Sequence, residues 1–98
     1  MDELDPVIHA QARLRIMAAL ATLAPDDQIS FPRLQELLEM TAGNLSTHLR
    51  KLEEADYVVM EKTHKGRTPI TYLALSRRGR RAFEDYTDAL RTVLGAPS

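Results

Sequence analysis

The sequence predicts a small, mainly α-helical domain with one β-hairpin, in the order helix, short strand, helix, helix, strand, strand, helix. Three features of the chain predict it. Apolar residues recur at helical spacing in four separate stretches. The second and third of these leave room only for a very tight turn between them. Two runs of β-formers, Tyr57–Thr63 and Ile70–Leu75, bracket a polar loop that contains Gly66.

Each element has its own signals. Asp5 can cap a first helix that Pro6 opens, and Val7, Leu14, Met17, Leu20 and Leu23 then form a stripe flanked by Ile8 and Ile16. Pro25-Asp26-Asp27 ends it. Ile29-Ser30-Phe31 is too short for a helix and reads as one small strand. Pro32 opens a second helix, with Leu34, Leu37 and Leu38 facing inward, which ends near Met40. Thr41 is the N-cap of a third helix. After Ala55-Asp56 the pattern turns to strands, and His64 to Pro69 form the basic tip of the hairpin. Ser76 caps a fourth helix, whose Phe83, Tyr86, Leu90 and Val93 are spaced 3, 4 and 3 residues apart like a heptad seam. Gly95 and Pro97 stop it. A helix pair in a tight turn, followed by a basic hairpin, is the winged helix-turn-helix arrangement.

Composition bounds what such a domain does. The 98 residues make a single domain, 1–98, and 44% of them are hydrophobic, enough for a real core. There is no cysteine, so disulfides, thiolate metal sites and cysteine nucleophiles are excluded. No stretch is long and apolar enough for a membrane span, and the acidic start MDELDPVIHA lacks the pattern of a signal peptide, so a cytoplasmic protein is expected. The net charge of −1 hides a strong asymmetry. Residues 1–40 carry three Lys/Arg against seven Asp/Glu, residues 41–82 nine against four, and residues 83–98 one against three. The middle of the chain is therefore at +5 between acidic ends at −4 and −2. A phosphate backbone meets that local charge, not the total.

The third helix carries the chemistry. At about 100° per residue, Leu45, Leu49 and Leu52 share a narrow arc, with Ala42 at its edge. Gly43, Thr47, Arg50 and Lys51 fall opposite, and Asn44 and Ser46 lie on the flanks. Short polar side chains let a helix backbone sit deep in a groove. Asn pairs bidentately with adenine, Arg with guanine, and Ser or Thr with several base edges. Thr41 and Asn44 at the helix start can also present backbone N–H groups to a phosphate. Lys65 and Arg67 at the hairpin tip suit phosphate or minor-groove contacts. Arg77, Arg78, Arg80 and Arg81 cluster at the start of the fourth helix, where they oppose the macrodipole. Arg77 and Arg78 are candidates for phosphate contacts; a plain solubilising surface is the competing reading. His9, His48 and His64 are scattered over three elements, so no metal is expected, and His48 reads as a packing or hydrogen-bonding residue. No cofactor, effector ligand or catalytic motif is called for, and no enzyme is expected.

The stretches GNLSTHLRKLEEADYV and KGRTPITYLALSRRGRRAF resemble the small winged-helix transcriptional regulators of bacteria and archaea related to the MarR and ArsR groups. The resemblance runs from about Leu4 to Leu94. It implies that Gly43, Asn44, Ser46, Thr47 and Arg50 face the DNA major groove, and that Lys65, Gly66, Arg67 and Thr68 form a wing tip on the backbone or minor groove. It also implies a homodimer built by the terminal helices, about 5–23 and 76–95, with Val7, Ile8, Phe83, Tyr86, Leu90 and Val93 as interface positions. Relatives usually have Gly where this chain has Asp56, at a point that often needs a left-handed backbone. The function implied is sequence-specific binding of double-stranded DNA, with repression expected because no activation surface is visible. A winged-helix protein-interaction module without sequence-specific DNA binding is the alternative; the net charge favours it slightly and the +5 segment disfavours it.

Overall fold

The structure is a computed structural model that describes residues 4–95. Their elements are α1 (Gln11–Ala21), β1 (Ile29–Ser30), α2 (Phe31–Leu38), α3 (Ala42–Glu54), β2 (Val58–Lys65), β3 (Thr68–Leu75) and α4 (Arg77–Val93). The order is the predicted one. The sheet is antiparallel in the order β1-β3-β2, with Ile29 opposite Leu73 and Ser30 opposite Tyr72. In the hairpin, Val58 pairs with Leu75 at the base and Lys65 with Thr68 at the tip. Pro69 lies beyond the reach of β1, where β3 has one neighbour, the kind of place where a strand accommodates proline.

One core joins the layers. Ile16, Met17 and Leu20 of α1, Leu34 of α2, Leu45, Leu49 and Leu52 of α3, and Leu73 of β3 are fully buried. Each buried leucine contributes about 1.5–3 kcal/mol of apolar transfer. The three on α3 thus hold one face of that helix against the core and leave the other outside.

Four expectations are corrected. The first helix begins at Gln11, not near Asp5. Asp5 does cap, accepting from the Val7 amide at 2.8 Å, and its carbonyl accepts from His9 at 2.7 Å. That closes a single turn, which the extended backbone at Ala10 (φ −141°) ends. Second, Leu37 is 59% exposed. Only Leu34 and Leu38, one full turn apart, are buried on α2, and Leu37 falls off their stripe. Third, Ile8 and Tyr86, expected at a dimer interface, are buried in the monomer's own core at 0% and 3% exposure and have no free surface for a partner. The N-terminal turn folds back over the core, held by Tyr57 Oη donating to Asp5 and by His9 Nδ1 at 2.8 Å from Tyr86 Oη. Val7, Phe83 and Leu90 are half-buried, and Val93 is 60% exposed. Fourth, the hairpin strands run further than predicted, through Lys65 and from Thr68, so the loop is only Gly66-Arg67. Gly66 has φ +65°, which a two-residue hairpin turn of the primed type demands. Gly95, at φ +72°, follows α4 as expected; Pro97 lies outside the described residues.

Candidate nucleic-acid interface

α3 is placed by its two ends. Thr41 caps it, its Oγ1 accepting from the Asn44 amide at 3.2 Å. The Asn44 amide is thus satisfied within the protein, so the unpartnered amides of the first turn belong to Ala42 and Gly43 rather than to Asn44. Those two can meet a phosphate at the positive end of the helix. The preceding turn is short because α2 ends in a left-handed residue, Glu39 (φ 54°), with the Met40 amide bonded to the Gln35 carbonyl and the Glu39 amide to Glu36, both at 3.3 Å. α3 ends the same way. Asp56 has φ 62°, its amide donates to Glu53, and the Tyr57 amide donates to Leu52, both at 2.9 Å. This is the Schellman pattern that usually takes glycine. Asp56 keeps it, and its carbonyl accepts from Ser76 Oγ.

The polar face of α3 is open. Thr41, Gly43, Asn44, Ser46, Thr47, Arg50 and Lys51 are all exposed, as expected. Nothing lies within 4 Å of where a Cβ on Gly43 would be, so this face is unobstructed at the start of the helix. Thr47 Oγ1 donates to the Gly43 carbonyl at 2.9 Å. Its hydroxyl proton is therefore spent within the helix, and toward a base edge it offers lone pairs and a methyl group, which suit an amino donor or a thymine methyl. Glu53 and Glu54 are exposed on the last turn, so the part of α3 fit for a polyanion ends at Lys51.

The hairpin supplies the second basic element. Lys65, Gly66, Arg67 and Thr68 are exposed at its tip. At its root, Ser46, Arg50 and Glu53 of α3 line a cleft with Phe31, Met60, Lys62 and Thr71. Among the described residues the ion pairs are Arg33–Glu36 at 3.9 Å and Arg91–Asp88 at 2.8 Å. The cations of α3 and the hairpin tip are in neither. Arg77 and Arg78 are exposed, but at the hairpin's base, roughly 24 Å of strand from its tip. Arg80 instead turns toward α1, with Nη2 3.5 Å from the Leu23 carbonyl. The arginine cluster is therefore divided.

Two contributors escape the sequence reading. Gly79 is buried, and a Cβ there would lie 1.9 Å from the Tyr57 carbonyl oxygen. Its lack of a side chain lets the start of α4 press against the α3–β2 junction and fix the hairpin relative to α3. A glycine among the arginines of the first turn is what the sequence shows there, and it does not reveal the burial. The other is Arg13 of α1, whose Nη1 is 3.4 Å from His48 Nδ1. Partial burial, Arg13 and Lys51 together hold the His48 imidazole below its ordinary range, so it is neutral at pH 7. Burial and the hydrogen bond to Asp5 push the Tyr57 phenol up to about 12.

Residues 12–94 match the family described as a winged helix DNA-binding domain. An uncharacterised protein of Methanocaldococcus jannaschii is 37% identical over 81 residues, spanning 82% of this chain and 84% of its own length. The solved transcriptional regulator homologue from Pyrococcus horikoshii superposes with a TM-score of 0.81 at 28% identity, over 91% of this chain and 85% of that one. NolR from Sinorhizobium fredii shares the fold, with a TM-score of 0.68 at 19% identity over 99% of this chain and 100% of that one. With the family match spanning most of its length, and the helix pair and hairpin in place, the chain belongs to the winged helix DNA-binding domain family and is similar to the transcriptional regulator homologue of Pyrococcus horikoshii.

Proposed function

We propose that this protein is a sequence-specific, double-stranded-DNA-binding transcriptional regulator that acts as a homodimer and represses by occupying its operator. α3 enters the major groove, where Asn44, Ser46, Thr47 and Arg50 read base edges and Thr41, Gly43 and Lys51 bring the backbone and charge of the helix to the DNA. Lys65, Gly66, Arg67 and Thr68 engage the backbone or the adjacent minor groove, and Arg77 and Arg78 reach phosphates from the base of the hairpin. The observation that carries this reading is the open polar face of α3, whose cations have no carboxylate partner among the described residues, beside an exposed basic hairpin tip.

The dimer rests on the far end of α4. Val93 and Leu94 are 60% and 73% exposed, large apolar side chains at the end of a 17-residue helix. With Phe83 and Leu90 of the same helix they give a partner an apolar surface to cover, whereas Val7 lines a cleft with Arg13 and Lys51. Two copies then set half-sites about one DNA turn apart. Selection of a randomised duplex pool on the purified protein, followed by sequencing, tests the whole reading. Enrichment of a palindrome is expected. Retained DNA without a motif would reduce the protein to a non-specific binder, and no retained DNA would point to the protein-interaction alternative.

A further inference from the structure

α3 has two flanks, and they are built differently. Ser46, Arg50 and Glu53, at i, i+4 and i+7, form the flank turned to the hairpin, where they share a cleft with Lys62. Asn44, His48 and Lys51 have the same spacing on the opposite flank. There α1 adds a cation. Arg13 Nη1 approaches His48 Nδ1 at 3.4 Å, and Arg13 Nε donates to the Val7 carbonyl. Arg13 and Lys51 line a shallow cleft with Pro6, Val7, Glu54 and Ala55.

Two permanent cations and an imidazole have been gathered here with no carboxylate closing an ion pair on them among the described residues. The guanidinium is not a drifting side chain, because the Val7 carbonyl holds it. Its Nη2 has no protein partner among the described residues. Packing alone does not account for the group, since Arg13 and His48 are only half-buried and Lys51 is exposed. A fixed guanidinium with spare donors, beside a lysine, is the arrangement that takes a tetrahedral anion: Arg by paired N–H donors, Lys as a point charge.

We propose that Arg13, His48 and Lys51 form a binding site for a DNA-backbone phosphodiester on the flank of α3 that faces away from the hairpin. The proposal rests on the DNA-binding reading above and adds a second backbone contact to it. One strand bordering the groove is held by the hairpin and the other by this trio, so α3 is seated between two phosphate contacts. The groups facing His48 are Arg13 from α1 and Lys51 from its own helix, with Glu54 further along the same cleft. A phosphodiester arriving there offsets the two cations, and the neutral imidazole, whose Nδ1 accepts from Arg13, offers its Nε2–H as a third donor.

The test measures affinity for a labelled mixed-sequence duplex across a series of salt concentrations. Arg13→Gln and Lys51→Gln are each expected to lower the slope of log affinity against log salt by about 1, the signature of one lost phosphate contact. Lys51 is exposed, so its variant does not depend on Arg13→Gln keeping its fold. Arg91→Gln, the same charge change at the far end of α4, is expected to leave the slope unchanged. Parental slopes in Arg13→Gln and Lys51→Gln, alongside a reduced slope in Arg67→Ala, would overturn the phosphate site and leave the DNA-binding reading standing. No salt-dependent binding by the parent would overturn both.

Discussion

Replacing Gly79 with alanine should destabilise the protein, although helix propensity alone predicts the opposite. Gly to Ala inside a helix gains about 1 kcal/mol. At Gly79 the new Cβ would sit 1.9 Å from the Tyr57 carbonyl oxygen, 2.7 Å from its carbon and 2.9 Å from its Cα. These are backbone atoms, so no rotamer change relieves the overlap. The start of α4 and the α3–β2 junction would have to part by roughly 1.5 Å to reach ordinary contact. That motion strains two hydrogen bonds across the same seam, the Ser76 amide to the Tyr57 carbonyl at 3.0 Å and Ser76 Oγ to the Asp56 carbonyl. Each is worth about 1 kcal/mol, and overpacking costs about 1–3 kcal/mol more. Net of the propensity gain, the loss is about 3 kcal/mol, which lowers Tm by about 12–24 °C in a domain of this size. Thermal melts followed by circular dichroism, with urea midpoints alongside, measure it. Gly43→Ala is the matched control, because nothing lies within 4 Å of its Cβ. It should equal the parent or gain up to about 1 kcal/mol, while the added methyl on the open face of α3 weakens DNA binding. A Gly79→Ala protein as stable as the parent would refute the claim that backbone contact fixes α4 against the α3–β2 junction.

Other changes test other parts of the account. Asp56→Gly should stabilise by up to about 1 kcal/mol, since it relieves a left-handed residue without touching the Schellman bonds; urea titration measures this. Arg50→Ala should lower affinity for a selected operator by about 1–3 kcal/mol more than for mixed-sequence DNA. Arg67→Ala should weaken both equally and lower the salt slope by about 1; competition binding separates the two patterns. His48 gives a pH signature of its own. The unfolded chain protonates it near pH 6.5, the folded chain only at lower pH. In the window just below 6.5 the unfolded state holds more protons, so stability falls as pH drops through it, and His48→Gln should flatten that part of the profile. Urea midpoints between about pH 7.5 and 5 check the sign.

The sequence made most of the candidate interface legible, for physical reasons. Leu45, Leu49 and Leu52 define a buried arc on α3, so the exposed face follows from geometry alone. Thr41 and Ser76 are caps that act locally and do cap α3 and α4. Local signals misled where the outcome depends on the third dimension. Asp5 and Pro6 are sound signals for a helix start, but they begin one turn, and burial of Ile8 draws the chain into a fold-back that no periodicity distinguishes from helix. Tyr86 fits a heptad seam, yet the seam meets this turn, with His9 bonded to Tyr86, before it can meet another subunit. Gly79 and Arg13 could not be placed in advance, because each matters through a segment distant in the chain, Tyr57 for one and His48 for the other. Asp56 shows the reverse case: its expected left-handed backbone is present although its residue type opposes it.

The central claim is that one face of the molecule, α3 with the hairpin tip, meets DNA. Amide chemical-shift mapping of the isotopically labelled chain titrated with duplex DNA tests it most directly. The account predicts the largest changes at residues 41–51 and 64–68, with the Arg13 side chain moving in step, and little change along the exposed end of α4. Perturbations confined to α4 and the N-terminal turn, with α3 silent, would contradict it.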